Sequence, residues 1–164
     1  MRAKSTLAFA VAILVTGLVM GSAAFAARSK SYCPTRPGDA AAVVGTINGF
    51  FDAASRDNLA QFKRYITRDF YAYDGGRIYR GDALLKTIMA LHGKGYKFVW
   101  SVTEPDVHLL CDDAWIAYTN KGSIKAPDQP VVPTTWLKSA FLRHTHYGWK
   151  LVFFHSTRVP VPTK

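Results

Sequence analysis

Cysteine is scarce in this sequence: Cys33 and Cys111 are the only two in 164 residues. Neither lies in a C-x-x-C or mixed Cys/His spacing, so a zinc site built on cysteine is not expected. Two cysteines can form one disulfide bridge if the chain reaches an oxidising compartment. We expect this bridge, which would tie the segment before the first predicted helix to the body of the domain. The alternative is a buried free thiol at Cys111, which follows two leucines.

Motifs for several kinds of chemistry are also missing. The sequence has no phosphate-binding glycine loop, no dinucleotide fingerprint and no zinc-finger or helix-turn-helix motif. Lys and Arg outnumber Asp and Glu by 21 to 11, for a net charge of +10. These basic residues are scattered in short pairs, such as Lys63 with Arg64, rather than gathered in one run. We therefore expect a solvated basic surface, no nucleic-acid partner and no cofactor.

Long apolar runs are absent except for one near the start. Residues 7–20 are mostly apolar, follow Arg2 and Lys4, and precede the Ala-Phe-Ala sequence at 24–26. This is the pattern of a secretory signal with its cleavage site. The run is shorter than the roughly 20 residues that a membrane-spanning helix needs. We predict that residues 1–26 are a cleaved signal peptide, that the bacterial protein is periplasmic or secreted, and that it has no stable membrane insertion after cleavage.

The remaining chain predicts one α+β domain. Residues 27–38 read as a leader segment and residues 39–160 as the domain. Apolar residues at helical spacing predict a helix capped by Asp39, a second capped by Asp57 or Asn58, and a third beginning at Asp82. Alternating, β-rich runs predict strands over residues 69–74, 96–110, 114–124, 134–145 and 149–159. Helices first and long strands later indicate helices covering one face of a curved, mostly antiparallel sheet.

Three segments of this pattern carry a family resemblance. They are FFDAASRD at 50–57, DFYAYDGGR at 69–77, which leads to Arg80-Gly81, and GWKLVFFHS at 148–156. In this order and spacing the chain resembles, over about residues 40–158, the nuclear transport factor 2-like superfamily and its SnoaL-like and ketosteroid-isomerase-like bacterial domains. The resemblance implies a cone-shaped, cystatin-like fold in which sheet and three helices enclose a pocket. It also implies a homodimer formed through the outer sheet face, but function varies widely within the fold.

Asp74 and His155 are the candidate catalytic residues. By the resemblance, Asp74 matches the catalytic base of ketosteroid isomerases, and a carboxyl group in an apolar pocket suits proton transfer at a carbon beside a carbonyl. If Lys150 and Arg158 mark the outer face of the last strand, alternation turns His155 inward. For the preceding predicted strand the inner face stays undecided, because Lys138 and Arg143 would lie on opposite faces of that strand. Six aromatic residues are expected to line the pocket: Phe50, Tyr71, Tyr73, Trp100, Tyr118 and Trp136.

Each of these residues also has a purely structural interpretation. Asp74 precedes Gly75-Gly76 and is a common turn former, and His155 fits a hydrogen-bonded core histidine equally well. The aromatic residues fit core or interface packing. His144 and His146 share a strand face, but no third ligand lies near them in the sequence, so no metal site is predicted.

Three functions remain open. The expected one is an exported SnoaL-like module that binds a small apolar or amphipathic molecule in an aromatic pocket, because the pocket lacks a complete catalytic set. In particular, the positions of the isomerase oxyanion donors fall near Ile47 and near Ser139 or Ala140, which argues against steroid isomerisation. The alternative is an isomerase, cyclase or dehydratase that uses Asp74 and His155 for acid–base chemistry. The third is a dimeric association domain.

Overall fold

The computed structural model describes Cys33 and residues 36–160. The predicted signal peptide, residues 1–26, and most of the leader segment lie outside the described residues. The described chain has three helices, α1 (Asp39–Ser55), α2 (Leu59–Tyr65) and α3 (Ala83–Gly93). Seven strands accompany them: β1 (Ile66–Asp74), β2 (Arg77–Arg80), β3 (Lys97–Val99), β4 (Val102–Leu110), β5 (Asp113–Lys125), β6 (Val131–Thr145) and β7 (Gly148–Arg158).

Helix α1 lies against the sheet through an apolar stripe. Val43, Ile47 and Phe50 recur along one side of the helix and are fully buried, as their spacing predicts. The helix begins one residue earlier than a cap at Asp39 would require, because Gly38 is the N-cap with φ 87°. The Asp39 carboxylate instead accepts hydrogen bonds from the Arg36 backbone N–H at 2.9 Å and from the Trp149 indole N–H at 3.1 Å. Asp39 thereby joins the start of α1 to β7.

The two shorter helices follow their sequence signals closely. The Asn58 side chain caps α2 by accepting a hydrogen bond from the Gln61 backbone N–H at 2.9 Å. Helix α3 starts directly after Asp82 and buries Leu84 and Leu85 against the rest of the domain. None of the three described helices is long and apolar enough to cross a membrane.

The strands form one strongly curled sheet. Its order is β2-β1-β7-β6-β5-β3, and β4 also pairs with β5. Every pair is antiparallel except β1 with β7, so the predicted α+β class and mostly antiparallel sheet are confirmed. The predicted strand at 96–110 is divided into β3 and β4, with Trp100 and Ser101 between them. Helix α1 packs across the concave side of this sheet against β4 and β7.

A β-bulge in β7 changes which side chains face the helices. Phe153 lies opposite Phe141 and Leu151 lies opposite Leu142, which leaves Val152 without a partner on β6. Before the bulge Leu151 is buried, whereas after it the buried side chains are Phe154 and Ser156. Because the bulge shifts the alternation by one residue, the parity argument that placed His155 inward is wrong.

The disulfide anchors the segment before α1 to the sheet. Cys33 and Cys111 are bonded, with their α-carbons 4.8 Å apart, which confirms the predicted pairing. Cys111 lies in the turn between β4 and β5 and has a positive φ of 56°. Close by, the Arg36 guanidinium donates a hydrogen bond to the Asp112 carboxylate at 2.7 Å. The bridge and this ion pair hold the start of the domain against the β4–β5 turn.

Candidate functional site

Three rows of side chains cross the concave face of the sheet in register. The first row, Ala72, Phe154, Ala140 and Ile116, is apolar and fully buried. The second row, which we call the polar row, runs across β1, β7, β6 and β5 and consists of Asp74, Ser156, Lys138 and Tyr118. The third row is Arg158, Trp136 and Asn120. The first row closes the core, and the other two rows border a cavity everywhere except at their ends on β5, Tyr118 and Asn120, which are buried.

An inner cavity of about 280 Å³ lies between these rows and the helices. Its walls are mostly aromatic and aliphatic side chains from α1, α3 and the strands. Phe51 stacks on Trp100 at 5.5 Å between ring centroids, and Phe98 stacks on the same indole at 5.5 Å. Asp74, Lys138 and Arg158 supply the charged groups of the lining, and its hydroxyl groups belong to Tyr79, Thr87 and Ser156. The cavity is therefore an apolar chamber with a polar patch on its sheet side, the form expected of a small-molecule site.

Lys138 is the most unusual residue of this lining. It is 6% exposed, and its Nζ lies 4.4 Å from the centroid of the Phe51 ring and 5.2 Å from those of Trp136 and Phe154. Among the described residues the amine has no hydrogen-bond or ion-pair partner. Burial lowers the pKa of Lys138 from 10.5 to about 7, and the negative charge of Asp74 offsets only part of that effect.

Other buried polar groups beside Lys138 are also unsatisfied. Within the described part of the chain, neither the Ser156 hydroxyl nor the Tyr118 hydroxyl has a hydrogen-bond partner. Burial raises the pKa of Tyr118 well above its ordinary value, so this phenol is held neutral. The Asn120 amide accepts a hydrogen bond from the Ser101 N–H at 3.3 Å, while its own NH₂ group has no acceptor. Buried polar groups without partners are rare in folded proteins and mark places where a ligand or water completes the bonding.

Half of the aromatic residues predicted to line the pocket do so. Phe50, Trp100 and Trp136 border the inner cavity. Tyr118 is buried in the core at the end of the polar row. Tyr71 and Tyr73 do not border the inner cavity, because they lie on the convex face and pack on Phe153 at 4.9 and 5.4 Å between ring centroids.

The two predicted catalytic residues are separated by the sheet. Asp74 is half-buried and borders the inner cavity. His155 is exposed on the convex face, in register with Tyr73 and Ser139, and does not border that cavity. The two residues share only a shallow groove at the outer edge of the sheet, together with residues 75–78. The structure therefore brings Asp74 to the cavity and to Lys138, not to an inward-facing His155.

Sequence reasoning missed Lys138 and Ser156 as lining residues. Lys138 has the same parity as Trp136, Ala140 and Leu142, and all four are buried. Three apolar neighbours on one face were a sufficient signal that this face was the inner one. The positive charge of Lys138 argued against that signal, and for Ser156 the bulge at Val152 hid the correct parity. Among the described residues no group of three His, Cys, Asp or Glu side chains is placed to hold a metal ion.

Searches by sequence found no relative: no family model matches, and no curated protein does. Several solved protein structures have a fold similar to that of this chain. A ketosteroid isomerase-like protein from Erwinia carotovora atroseptica superposes with a TM-score of 0.62 at 16% identity, over 75% of this chain and 98% of the other. A proposed dehydratase of the NTF2-like family from Streptomyces avermitilis gives 0.63 at 18% identity, over 77% and 100% of the two chains. The CaMKII hub of S. rosetta gives 0.62 at 18%, over 77% and 99%. At such identities the likeness establishes the fold and leaves function open.

Proposed function

We propose, from the nuclear transport factor 2-like fold that this chain has, that its inner cavity binds a small amphipathic molecule with an apolar body and one oxygen-bearing end. The observation that carries the proposal is the combination of aromatic walls with the unsatisfied polar row on the sheet side. The apolar body fits among Phe51, Phe98 and Trp100, and the polar end meets Lys138 and Ser156. A volume of about 280 Å³ lies at the lower end of small-molecule sites, which favours a ligand of one or two rings.

Native mass spectrometry of protein purified from its own producing cells tests this proposal. We expect a mass excess that disappears on denaturation, because a ligand held without covalent bonds is released when the cavity opens. Thr87→Trp places an indole inside the cavity that Thr87 borders and should abolish the excess. Ala90→Trp is the matched control, since Ala90 is exposed on the same helix. An empty cavity in the native protein, or equal retention in both variants, would overturn the proposal.

An enzyme of the isomerase, cyclase or dehydratase type is the second candidate. It is favoured by one observation: a carboxylate and a buried amine border the same apolar cavity and interact electrostatically. In this function Asp74 transfers the proton at a carbon next to a carbonyl, and Lys138 takes the position beside the substrate that sequence reasoning assigned to His155. Asp74→Asn keeps the turn and removes the base, so turnover should be lost while ligand binding persists.

We also propose a homodimer that associates through the convex face of the sheet. Tyr73, Trp115 and Leu137 are 43%, 45% and 58% exposed there, and exposed large apolar side chains on one face are typical of an interaction surface. Sedimentation equilibrium measures the mass directly. Leu137→Lys introduces a charge on this surface and should shift the equilibrium toward monomer, whereas a dimer unaffected by it would contradict this interface.

Export is the remaining part of the proposed function. The Cys33–Cys111 bridge supports it, because such bonds persist in oxidising compartments outside the cytoplasm. N-terminal sequencing of protein recovered from the periplasm or medium should begin at Ala27. Protein that begins at Met1 and stays with the cytoplasmic fraction would refute the signal peptide.

A further inference from the structure

We propose that Lys138 is a nucleophilic amine that forms a Schiff base with the carbonyl carbon of an aldehyde or ketone held in the inner cavity. The inference deepens the proposed function, on which it rests, by naming the polar end of the ligand as a carbonyl group. It starts from the placement of the amine: Lys138 lies on β6 near the middle of the sheet, and its Nζ is surrounded by three aromatic rings.

The surroundings of Lys138 favour a neutral amine over a structural cation. An ion-paired lysine would need a carboxylate in contact, and among the described residues none contacts Nζ. Contacts with aromatic rings attract an ammonium ion, but the lowered pKa of Lys138 means that the cost of burying the charge outweighs such attraction here. A pKa of about 7 leaves roughly half of the amine unprotonated and nucleophilic at neutral pH.

The charged groups that border the cavity are few. Asp74 of β1 and Arg158 of β7 are the charged side chains there besides Lys138, and Tyr79 of β2 and Tyr118 of β5 are the phenols nearby. Helices α1 and α3 contribute no titratable side chain to the lining. Asp74 is thus the one carboxylate among the described residues that border the cavity with Lys138, and the Ser156 hydroxyl lies in register between the two residues.

This arrangement contains the groups that imine formation requires. The Nζ lone pair attacks the carbonyl carbon and the carbonyl π electrons move to oxygen. The Asp74 carboxylate takes one proton from nitrogen, directly or through the Ser156 hydroxyl, and passes it to that oxygen, which gives a carbinolamine. The carbon–oxygen bond then breaks as the nitrogen lone pair forms the carbon–nitrogen double bond, and Asp74 carries the second nitrogen proton to the departing hydroxyl group, which leaves as water. The products are a carbon–nitrogen double bond and one water molecule, with no change of oxidation state. Aromatic walls then limit the access of water that would hydrolyse the imine.

An aryl 1,3-diketone, 1-phenylbutane-1,3-dione, is a suitable probe because its adduct with an amine is a conjugated enaminone that absorbs in the near ultraviolet. We expect one adduct per chain, heavier than the protein by the diketone minus one water, on the peptide that contains Lys138. An ordinary lysine with a pKa of about 10.4 is neutral in only about one molecule in 2,500 at pH 7. Reaction at Lys138 should therefore be at least tenfold faster than at any other lysine.

Two substitutions of Lys138 distinguish its role as a nucleophile from its role as a positive charge. Lys138→Met and Lys138→Arg should both abolish the adduct, although arginine retains a positive charge. Lys125→Met, a change on an exposed strand position, should leave it intact. Thr87→Trp should suppress the adduct by filling the cavity even though the amine is still present.

The outcomes also separate this inference from the proposed function. Noncovalent retention of the diketone by the native protein, detected by native mass spectrometry without any adduct at Lys138, overturns the Schiff base and leaves the binding site standing. Labelling spread evenly over the exposed lysines overturns it as well. Failure of the diketone to bind in either form contradicts both proposals for this ligand class.

Discussion

Replacing Lys138 by methionine is predicted to stabilise the protein, by an amount that depends on pH. Methionine keeps an unbranched side chain of similar length among the same three rings and removes the amine. The pKa of Lys138 falls from 10.5 to about 7 on folding, a difference of about 3.5. A pKa difference of one unit between two states corresponds to about 1.4 kcal/mol. The protonated form of Lys138 therefore destabilises the folded state, relative to the unfolded chain, by about 5 kcal/mol.

The sign of the pH dependence follows from proton binding. Between pH 7 and pH 10.5 the unfolded chain keeps the proton on Lys138, while the folded protein has released it. The unfolded state therefore binds more protons, and the free energy of unfolding of the native protein rises with pH in this window. The methionine variant lacks this contribution. The stability gap between variant and native protein should accordingly shrink by about 2 kcal/mol from pH 7 to pH 9.

Urea unfolding followed by tryptophan fluorescence at pH 7, 8 and 9 measures this gap. Lys125→Met is the matched control, because Lys125 is exposed on β5 and the same substitution there should give a small difference that does not vary with pH. A gap for Lys138→Met that stays constant across the three pH values would refute the buried neutral amine. So would a variant less stable than the native protein at pH 7.

Three further predictions concern the bridge, a close contact and the site. Replacing both Cys33 and Cys111 by serine opens a loop of 78 residues and should lower the free energy of unfolding by about 4 kcal/mol in urea titrations. Gly122→Ala should lower the free energy of unfolding by about 1–3 kcal/mol, and the melting temperature with it, because a Cβ at residue 122 would collide with a backbone carbonyl of β3. Asp74→Asn should lower the pKa of Lys138 further, since the carboxylate charge raises it, and should move the pH profile of diketone labelling to lower pH.

Each of these has a clear contrary result. Equal urea midpoints for the bridged protein and the double serine variant would show that the bridge adds nothing. An unchanged melting temperature for Gly122→Ala, with Gly45→Ala as the comparison at an uncrowded position, would contradict the close approach of β5 to β3. A labelling profile that is identical with and without the Asp74 carboxylate would remove that residue from the site.

Sequence alone determined the elements and their order. Helix α1 was predictable because Val43, Ile47 and Phe50 repeat at helical spacing, which depends only on neighbouring residues. The cap at Asn58 and the strand that ends before Gly75-Gly76 were predictable for the same reason, since each depends only on residues close in sequence. The Cys33–Cys111 pairing followed because two cysteines have only one intramolecular partner each.

The orientation of the site residues was decided only by tertiary structure. Alternation along a strand predicts the face of each side chain only where the residues of two paired strands match one to one. Val152 is an extra residue in β7 with no partner on β6, so this match is lost there. No feature of β7 by itself reveals the bulge, because it exists only in the register between β7 and β6. It turns Ser156 inward and His155 outward, and the curl of the sheet then brings Asp74, Ser156 and Lys138 to the wall of one cavity. Lysine side chains are usually exposed to solvent, so sequence alone did not predict a buried Lys138. The aromatic side chains that surround its amine, which bury it, come together only in the folded structure.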